Sequence, residues 1–406
     1  MTILERPSVI QAKISSVRMI ELTALLPTDA KDRGFPPQSR PISVYPQYHP
    51  ADGWPAPADP RRKSSLYLEI GTTAGVTGRY GPIDQEAVAP LKEGMATSIL
   101  GLDALANNFV WDMLQRGNRH SRHGNRKIAI SAIDNALWDL RGRLLGLPVW
   151  QLLGGSGRTR IPAYASTLGT FHREGEVEET AARLLDEGYT AQKWFFADGP
   201  AQGAEGMGRN VALVERARAT VGYRSELMFD AFMSWDPTYA RRWAARVEHL
   251  HPDWLEEPFP TGAIDSFAQL RAATSIPLAT GEHLYDRHDI LPFLQRGLLS
   301  VLQVDPEWCG GVTDLVKMCS LAETYGVQVI PHGHGIHAAL HVVASQSPET
   351  CPRVEYLYQH MPERHHFEED TPAPFGGTFA LSTRPGFGIE FAQDRIKESR
   401  DVFAAG

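Results

Sequence analysis

Residues 276–305 read IPLATGEHLYDRHDILPFLQRGLLSVLQVD. A short apolar run, IPLATGEH, ends on a carboxylate and a histidine; a segment with room for one helix follows; a second run, LLSVLQVD, again ends on a carboxylate. Runs of this length suit strands, and a helix-sized connection between two strands is what a parallel pair requires. The pattern recurs in IPAYAST (161–167), YTAQKWFF (189–196), ELMFDAF (226–232), PDWLEEP (252–258), VQVIPHG (327–333) and PRVEYLY (352–358), making eight runs after Gly154-Gly155. Eight such units predict an α/β chain built on a (β/α)8-type, TIM-like barrel. The repetition is of pattern alone, since no stretch of sequence recurs.

Working outward, residues 16–25 and 65–80 alternate apolar and polar around a Gly-rich turn, as antiparallel strands do. The stretch 26–64 between them is rich in Pro, Asp, Arg and Tyr and reads as a long loop. From about residue 85 the pattern is helical, most clearly in IAISAIDNALWDLRGRLLG, where Ile128, Ile130, Ile133, Ala136, Leu137, Leu140 and Leu144 share a face. FGGTFALSTRPGFGIEF, from Phe375, reads as strand and turn that return to the N-terminal part. The expected organisation is an N-terminal α+β domain over 1–150, a modified barrel over 151–375 and a returning segment over 376–406.

Composition excludes several function classes. The 406-residue chain carries a net charge of −8 and has no apolar run of bilayer-spanning length, so neither nucleic acid nor membrane is an expected partner. Cys309, Cys319 and Cys351 are odd in number, far apart and without a CxxC, and the first residues lack a signal-peptide layout. A reducing cytoplasm without a disulfide framework is the expected setting.

The chemistry lies in where the titratable residues fall. Lys193, Asp230, Glu256, Glu282, Asp305, His332 and Glu355 each stand at or near the C-terminal end of one run, at spacings of 37, 26, 26, 23, 27 and 23 residues. The C-terminal mouth of a barrel is where its site forms, so this phasing converges seven distant residues on one pocket. A single Asp or Glu at a strand end is more often a solvated or helix-capping residue; the repetition is what argues for a site. Three successive carboxylates offer only oxygen ligands, which suits Mg²⁺. A hard cation flanked by basic residues is equipment for stabilising the enolate formed when a proton leaves the carbon next to a carboxylate.

These residues in their contexts, LMFDAF, WLEEP, TGEH, QVDPEWCGG, IPHG, VEYL and the closing PGFG, resemble the mandelate racemase/muconate lactonizing enzyme branch of the enolase superfamily. AISAIDNALWDLRGRLLGLPVWQLLGG (129–155) resembles the helix and turn that lead into that family's barrel, and the likeness spans roughly residues 15–395. The resemblance implies that Asp230, Glu256 and Glu282 bind Mg²⁺, that His332 is the general base oriented by Asp305, and that Glu355, protonated, hydrogen-bonds the substrate carboxylate. Glu256 rather than Glu257 is taken as ligand because the family uses the first of the pair. The resemblance also implies that the N-terminal domain caps the barrel mouth. Arg40, His49, Arg61 and Arg62 in the 26–64 loop are candidates for reaching the substrate, although each is more often a solvated loop residue. His283 is a further substrate-binding candidate.

One departure decides the reaction expected. Racemases of this branch carry Lys-x-Lys on the second strand, but here the run is Lys193-Trp194-Phe195, and phenylalanine cannot accept a proton. Lys193 remains, placed near metal and substrate carboxylate. One base acting twice suits dehydration of a sugar acid to its 2-keto-3-deoxy acid. GEH, VDPEWCGG and KWFFADGP most resemble acid-sugar dehydratases of the L-rhamnonate dehydratase type, which implies a hydro-lyase acting on a small sugar acid and a homo-oligomer, tetramer or octamer. An epimerase, racemase or cycloisomerase on the same fold, and a sugar-acid-binding relative without turnover, are the alternatives. The His-rich PHGHGIHAALH (331–341) raises zinc as a competitor, with His334, His337 and His341 as neighbours of the base.

Overall fold

A computed structural model describes residues 11–26, 36–49, 53 and 61–406. Strands β1 (Ile14–Leu25), β2 (Arg62–Thr72) and β3 (Thr77–Ile83) form an antiparallel meander. Along the β1/β2 ladder, Val17 faces Ile70 and Met19 faces Leu68, all buried. Residues 27–35, 50–52 and 54–60 of the 26–64 stretch lie outside the described residues; within the rest, Pro41–Val44 and Pro46–Tyr48 form short 3₁₀ turns, and Arg62 already belongs to β2.

The helix Gly124–Leu145 differs from the single apolar face expected of it, because it is buried nearly all round. One side packs on the N-terminal sheet, where Gly78 lies too close to Leu140 to carry a side chain. The other meets the helix Gly311–Thr324, where Asp134 accepts from the Thr313 N–H (2.9 Å) and hydroxyl (2.6 Å). Polar residues therefore interrupt its apolar face because they are bonded partners across an interface. Gly146, at φ 67°, closes the helix with the left-handed residue that such ends favour.

Eight parallel strands follow: β4 (Arg160–Ser166), β5 (Ala191–Phe195), β6 (Glu226–Asp230), β7 (Trp254–Glu256), β8 (Leu278–Thr280), β9 (Val301–Leu302), β10 (Gln328–Val329) and β11 (Val354–Leu357). Each lies in one of the eight runs, except that β4 begins one residue before its run, at Arg160. Their ladder order is β11-β4-β5-β6-β7-β8-β9-β10, a curled parallel sheet. Its interior holds one tier of packed side chains, Tyr164, Ala191, Met228, Trp254, Ala279, Val301 and Ile330. Among the described residues no ladder joins β10 to β11; the Val329 N–H reaches Thr350 O at 2.7 Å across that seam.

The C-terminal segment divides between the two layers. β12 (Thr378–Ala380) pairs antiparallel with β4 of the barrel, and β13 (Glu398–Ala405) pairs with β1. Between them the PGFG turn seats on the long helix: the Asp139 carboxylate accepts from the Phe387 and Arg79 N–H groups, both at 2.8 Å. Gly386, at φ 70°, lies where any side chain would meet that carboxylate.

Candidate active site

The strand period of two explains why the polar residues fall in phase. Two positions beyond the interior tier come Ser166, Lys193, Asp230, Glu256, Gly281, Gln303 and His332. Asp230 and Glu256 are register partners, and Glu355 is the register partner of Tyr164. Lys193, Asp230, Glu256, Asp305 and Glu355 are each at most 3% exposed. A Cβ at Gly281 would come within 2.8 Å of the Gln303 backbone nitrogen, which leaves β8 bare at this level.

Lys193 is the hub. Its Nζ lies 2.5 Å from Glu256 Oε1, 2.8 Å from Glu355 Oε1 and 3.5 Å from Asp230 Oδ2. Burial acts to lower this ammonium, but Glu256, Glu355 and Asp230 outweigh it and hold it well above the ordinary lysine range. Burial and the Glu256 charge push Asp230 well up despite Lys193. Burial also takes Glu282 up to about 7, with Glu257 adding to the rise. One lysine thus leaves a surplus of buried negative charge.

His332 Nδ1 lies 2.7 Å from Asp305 Oδ2, and its Nε2 lies 3.4 Å from Glu282 Oε2. Burial opposes protonation of this ring, but Glu282, Asp305 and Glu355 together raise it to about 10. Glu355 departs from the protonated form expected of it. Burial raises its carboxyl, yet Lys193 and His332 overcome that and hold it down at about 2. Its Oε2 accepts from the Gly333 N–H at 2.9 Å.

The three carboxylates expected to share a metal are not gathered equally. A span of 4.8 Å brings together Glu257, Glu282 and His283, whereas Asp230 and Glu256 are joined through Lys193. Glu257 is buried and left-handed (φ 39°), and its carboxylate meets Thr280 Oγ1 at 3.1 Å and His283 Nδ1 at 3.3 Å. His283 also lies 3.4 Å from Glu282, so it belongs to this cluster. Phe232 (φ 48°) and Met233 (φ 59°), just after β6, share the left-handed backbone that tends to collect at functional mouths.

Sequence reasoning passed over several residues. Gln303 donates to Glu256 Oε2 at 2.7 Å and Trp254 Nε1 donates to the same oxygen at 3.0 Å; their position two residues before a charged one was the available signal. Phe195, Phe232, Leu168, Thr170, His172 and His360 join Pro36, Pro37, Gln38 and Arg40 around a cavity of about 220 Å³. Arg40 therefore comes near the mouth; His49 Nε2 instead lies 3.9 Å from Asp198, and Arg61 and Arg62 stand at the start of β2. The other histidines of PHGHGIHAALH separate. His334 meets Glu307 at 2.9 Å, and His341 Nδ1 accepts from the Trp150 N–H at 3.1 Å. His337 has the acidic neighbour that the sequence did not reveal, Glu368, which also bonds His365; both contacts are 2.7 Å. Tyr67 also donates to Glu368 at 3.1 Å, and His337, His365 and Glu368 lie close enough together to hold a cation.

Comparison with known proteins places this geometry. Residues 176–395 match the enolase C-terminal domain-like family, and 59–154 match the mandelate racemase/muconate lactonizing enzyme N-terminal domain. The L-rhamnonate dehydratase of Saccharopolyspora erythraea is 32% identical over 78% of this chain and 78% of its own. The D-galactarolactone cycloisomerase of Agrobacterium fabrum is 28% identical over 84% of this chain and 92% of its own. The crystal structure of rhamnonate dehydratase from Gibberella zeae complexed with Mg superposes with a TM-score of 0.80 at 25% identity, covering 96% of this chain and 97% of that one. Two matched domains in order, with a curled parallel sheet beside an antiparallel one, make this chain a member of the mandelate racemase/muconate lactonizing enzyme family of the enolase superfamily.

Proposed function

We propose that the protein is an Mg²⁺-dependent hydro-lyase that converts an L-rhamnonate-like sugar acid to its 2-keto-3-deoxy acid. The observation that carries this reading is Phe195: its ring lines the cavity 5.2 Å from Lys193 Nζ, at the position of the racemases' second base, while His332 keeps its Asp305 partner at 2.7 Å.

The donor set fits a hard cation. Asp230, Glu256 and Glu282 offer only oxygen and carry the surplus buried charge that Lys193 leaves uncompensated. Bound there, Mg²⁺ would supply positive charge against a substrate carboxylate and lower the cost of the enediolate. Neutralising Glu282 also removes an upward pull on His332, so that its ring can act as a base. His332 Nε2 takes the proton from C2, and Asp305 accepts Nδ1–H and supports the imidazolium. Lys193 faces the same developing charge, with Glu355 holding its ammonium in place. His332 then returns its proton to the departing C3 hydroxyl, which leaves as water, and the enol tautomerises to the ketone. The largely apolar walls of the 220 Å³ cavity, with Arg40 and Thr170, suit the distal carbons of a sugar acid.

Incubation with six- and five-carbon sugar acids and Mg²⁺, including L-rhamnonate, L-mannonate and L-lyxonate, should yield a 2-keto-3-deoxy product from at least one. Turnover that persists in His332→Asn refutes the mechanism. The cycloisomerase relative supports a second reading, which predicts isomerisation without loss of water. Metal-dependent binding without turnover would indicate the non-catalytic reading. A homo-oligomeric state, tetramer or octamer, and a cytoplasmic setting belong to the proposal, and light scattering tests the first. No helix among the described residues is long and apolar enough to cross a membrane.

A further inference from the structure

The loop that follows Asp305 carries Trp308, whose indole stands among three imidazoles. Its ring centroid lies 5.2 Å from His332, 5.7 Å from His283 and 5.3 Å from His334, each tilted by 36° to 42°. His334 is also stacked nearly parallel to His332 at 6.0 Å. Asp305 fixes one nitrogen of His332 but leaves the ring free to turn about that bond, and the indole face removes this freedom.

Trp308 is itself held from the other domain. Its Nε1–H donates to Asp84 Oδ2 at 2.7 Å, and Asp84 directly follows β3 of the N-terminal sheet. Asp84 Oδ1 faces His334 Nε2 at 3.4 Å and Arg364 at 3.7 Å. Arg364 donates to Glu307 at 2.8 Å and to Pro82 O at 2.8 Å, which ties the same barrel loop to the end of β3. Glu307 in turn lies 2.9 Å from His334 Nδ1 and accepts from Tyr80 at 3.4 Å. The set spans both layers of the molecule.

We propose that Asp84 and Trp308 are positioning residues for His332: Asp84, from the capping sheet, anchors the indole that sets the plane of the acid–base ring. The orientation of the base is then conditional on how the N-terminal sheet is docked, so that the two layers form one catalytic unit. The inference rests on the proposed role of His332, and it adds a residue from outside the barrel.

The test uses full-length Asp84→Ala, Asp84→Asn, Trp308→Phe and the Asp84→Ala/Trp308→Phe double variant, assayed on whichever sugar acid the wild type turns over. Asp84→Ala and Trp308→Phe should each lower kcat tenfold to a hundredfold, the range typical of lost outer-shell support, with KM changed less than twofold. Asp84→Asn keeps an acceptor oxygen for the indole and should recover most of the loss. The double variant should be no slower than the worse single one, because both substitutions break the same link. A structural readout runs beside the kinetics: in ¹⁵N-labelled protein the Trp308 indole and His332 ring signals, identified by their loss in Trp308→Phe and His332→Asn, should both move in Asp84→Ala. Wild-type kcat in Asp84→Ala and Trp308→Phe, or losses that multiply in the double variant, overturns the proposal. Should Asp84→Ala not fold, Trp308→Phe decides it: a kcat lowered at least tenfold with a shifted His332 ring signal supports the proposal, and wild-type kcat overturns it. A wild type that turns over no sugar acid refutes the functional reading, whereas His332 signals that ignore Asp84→Ala refute the positioning itself.

Discussion

Replacing Lys193 with methionine keeps the length of the side chain and removes one charge from the centre of the site. At an effective dielectric of about 20, the contacts to Glu256, Glu355 and Asp230 at 2.5, 2.8 and 3.5 Å are worth roughly 7, 6 and 5 kcal/mol in gross attraction. Desolvating the ammonium offsets most of this, so the net cost of leaving those carboxylates unpaired is about 3–5 kcal/mol. EDTA-treated Lys193→Met should therefore unfold in urea with that loss at pH 8. The loss should shrink as pH falls, because protonation neutralises carboxylates left without the ammonium, a state toward which burial already pushes Asp230 and Glu282. Mg²⁺ at a hundred times its dissociation constant should return about 2.7 kcal/mol. A metal-free variant within about 1 kcal/mol of wild type at pH 8, with no pH dependence of the difference, would refute the surplus of negative charge from which the metal was argued.

Three further outcomes follow from single contacts. Gln303→Leu removes the 2.7 Å donor to Glu256 and should weaken Mg²⁺ binding by about 10–100-fold in calorimetric titration, with the fold retained. Gly386→Ala drives a side chain into Asp139 at a φ of 70° and should cost about 2–4 kcal/mol in denaturant, read together with earlier proteolysis of the C-terminal segment. His341 is held at about 3, first by burial and then by neighbouring His337, and its Nδ1 must stay free of a proton to accept from Trp150. Its stabilisation is present above pH 6.5 and is lost as pH falls toward 3. The stability difference between wild type and His341→Gln should accordingly shrink by about 1.4 kcal/mol per pH unit below about pH 6; a difference flat from pH 7 to 5 refutes the neutral ring.

The parts of this molecule legible in its sequence were those governed by local periodicity. Strand alternation and helix-length gaps located β4 to β11, and the same period of two placed Lys193, Asp230, Glu256 and His332 one step above the packed interior. The all-round burial of Gly124–Leu145 was hidden, because Asp134 and Asn135 look like solvated residues until their partners at Thr313 and Val312 arrive from a distant helix. The ionised state of Glu355 was hidden for the same reason, since it depends on where the Lys193 ammonium settles. Asp84 and Trp308 lie 224 residues apart and meet only when the two sheets dock. Glu257 could not be separated from Glu256 by spacing, and its left-handed backbone is a property of the turn it begins.

The seam between β10 and β11 bears on where this barrel is soft. His332 follows β10, a two-residue strand with a ladder partner on one side only, and Glu355 stands on the opposite bank. The chain near His332 is thus tethered to its neighbour by the Val329 and Gly333 N–H bonds to Thr350 and Glu355, where other junctions have paired strands. Fewer shared backbone bonds mean a lower free energy of local opening, so the amides of 327–333 should exchange with solvent deuterium ahead of those in β6 and β7. The proposed acid–base residue stands on the stave that the hoop holds least, and its side-chain partners keep it in line.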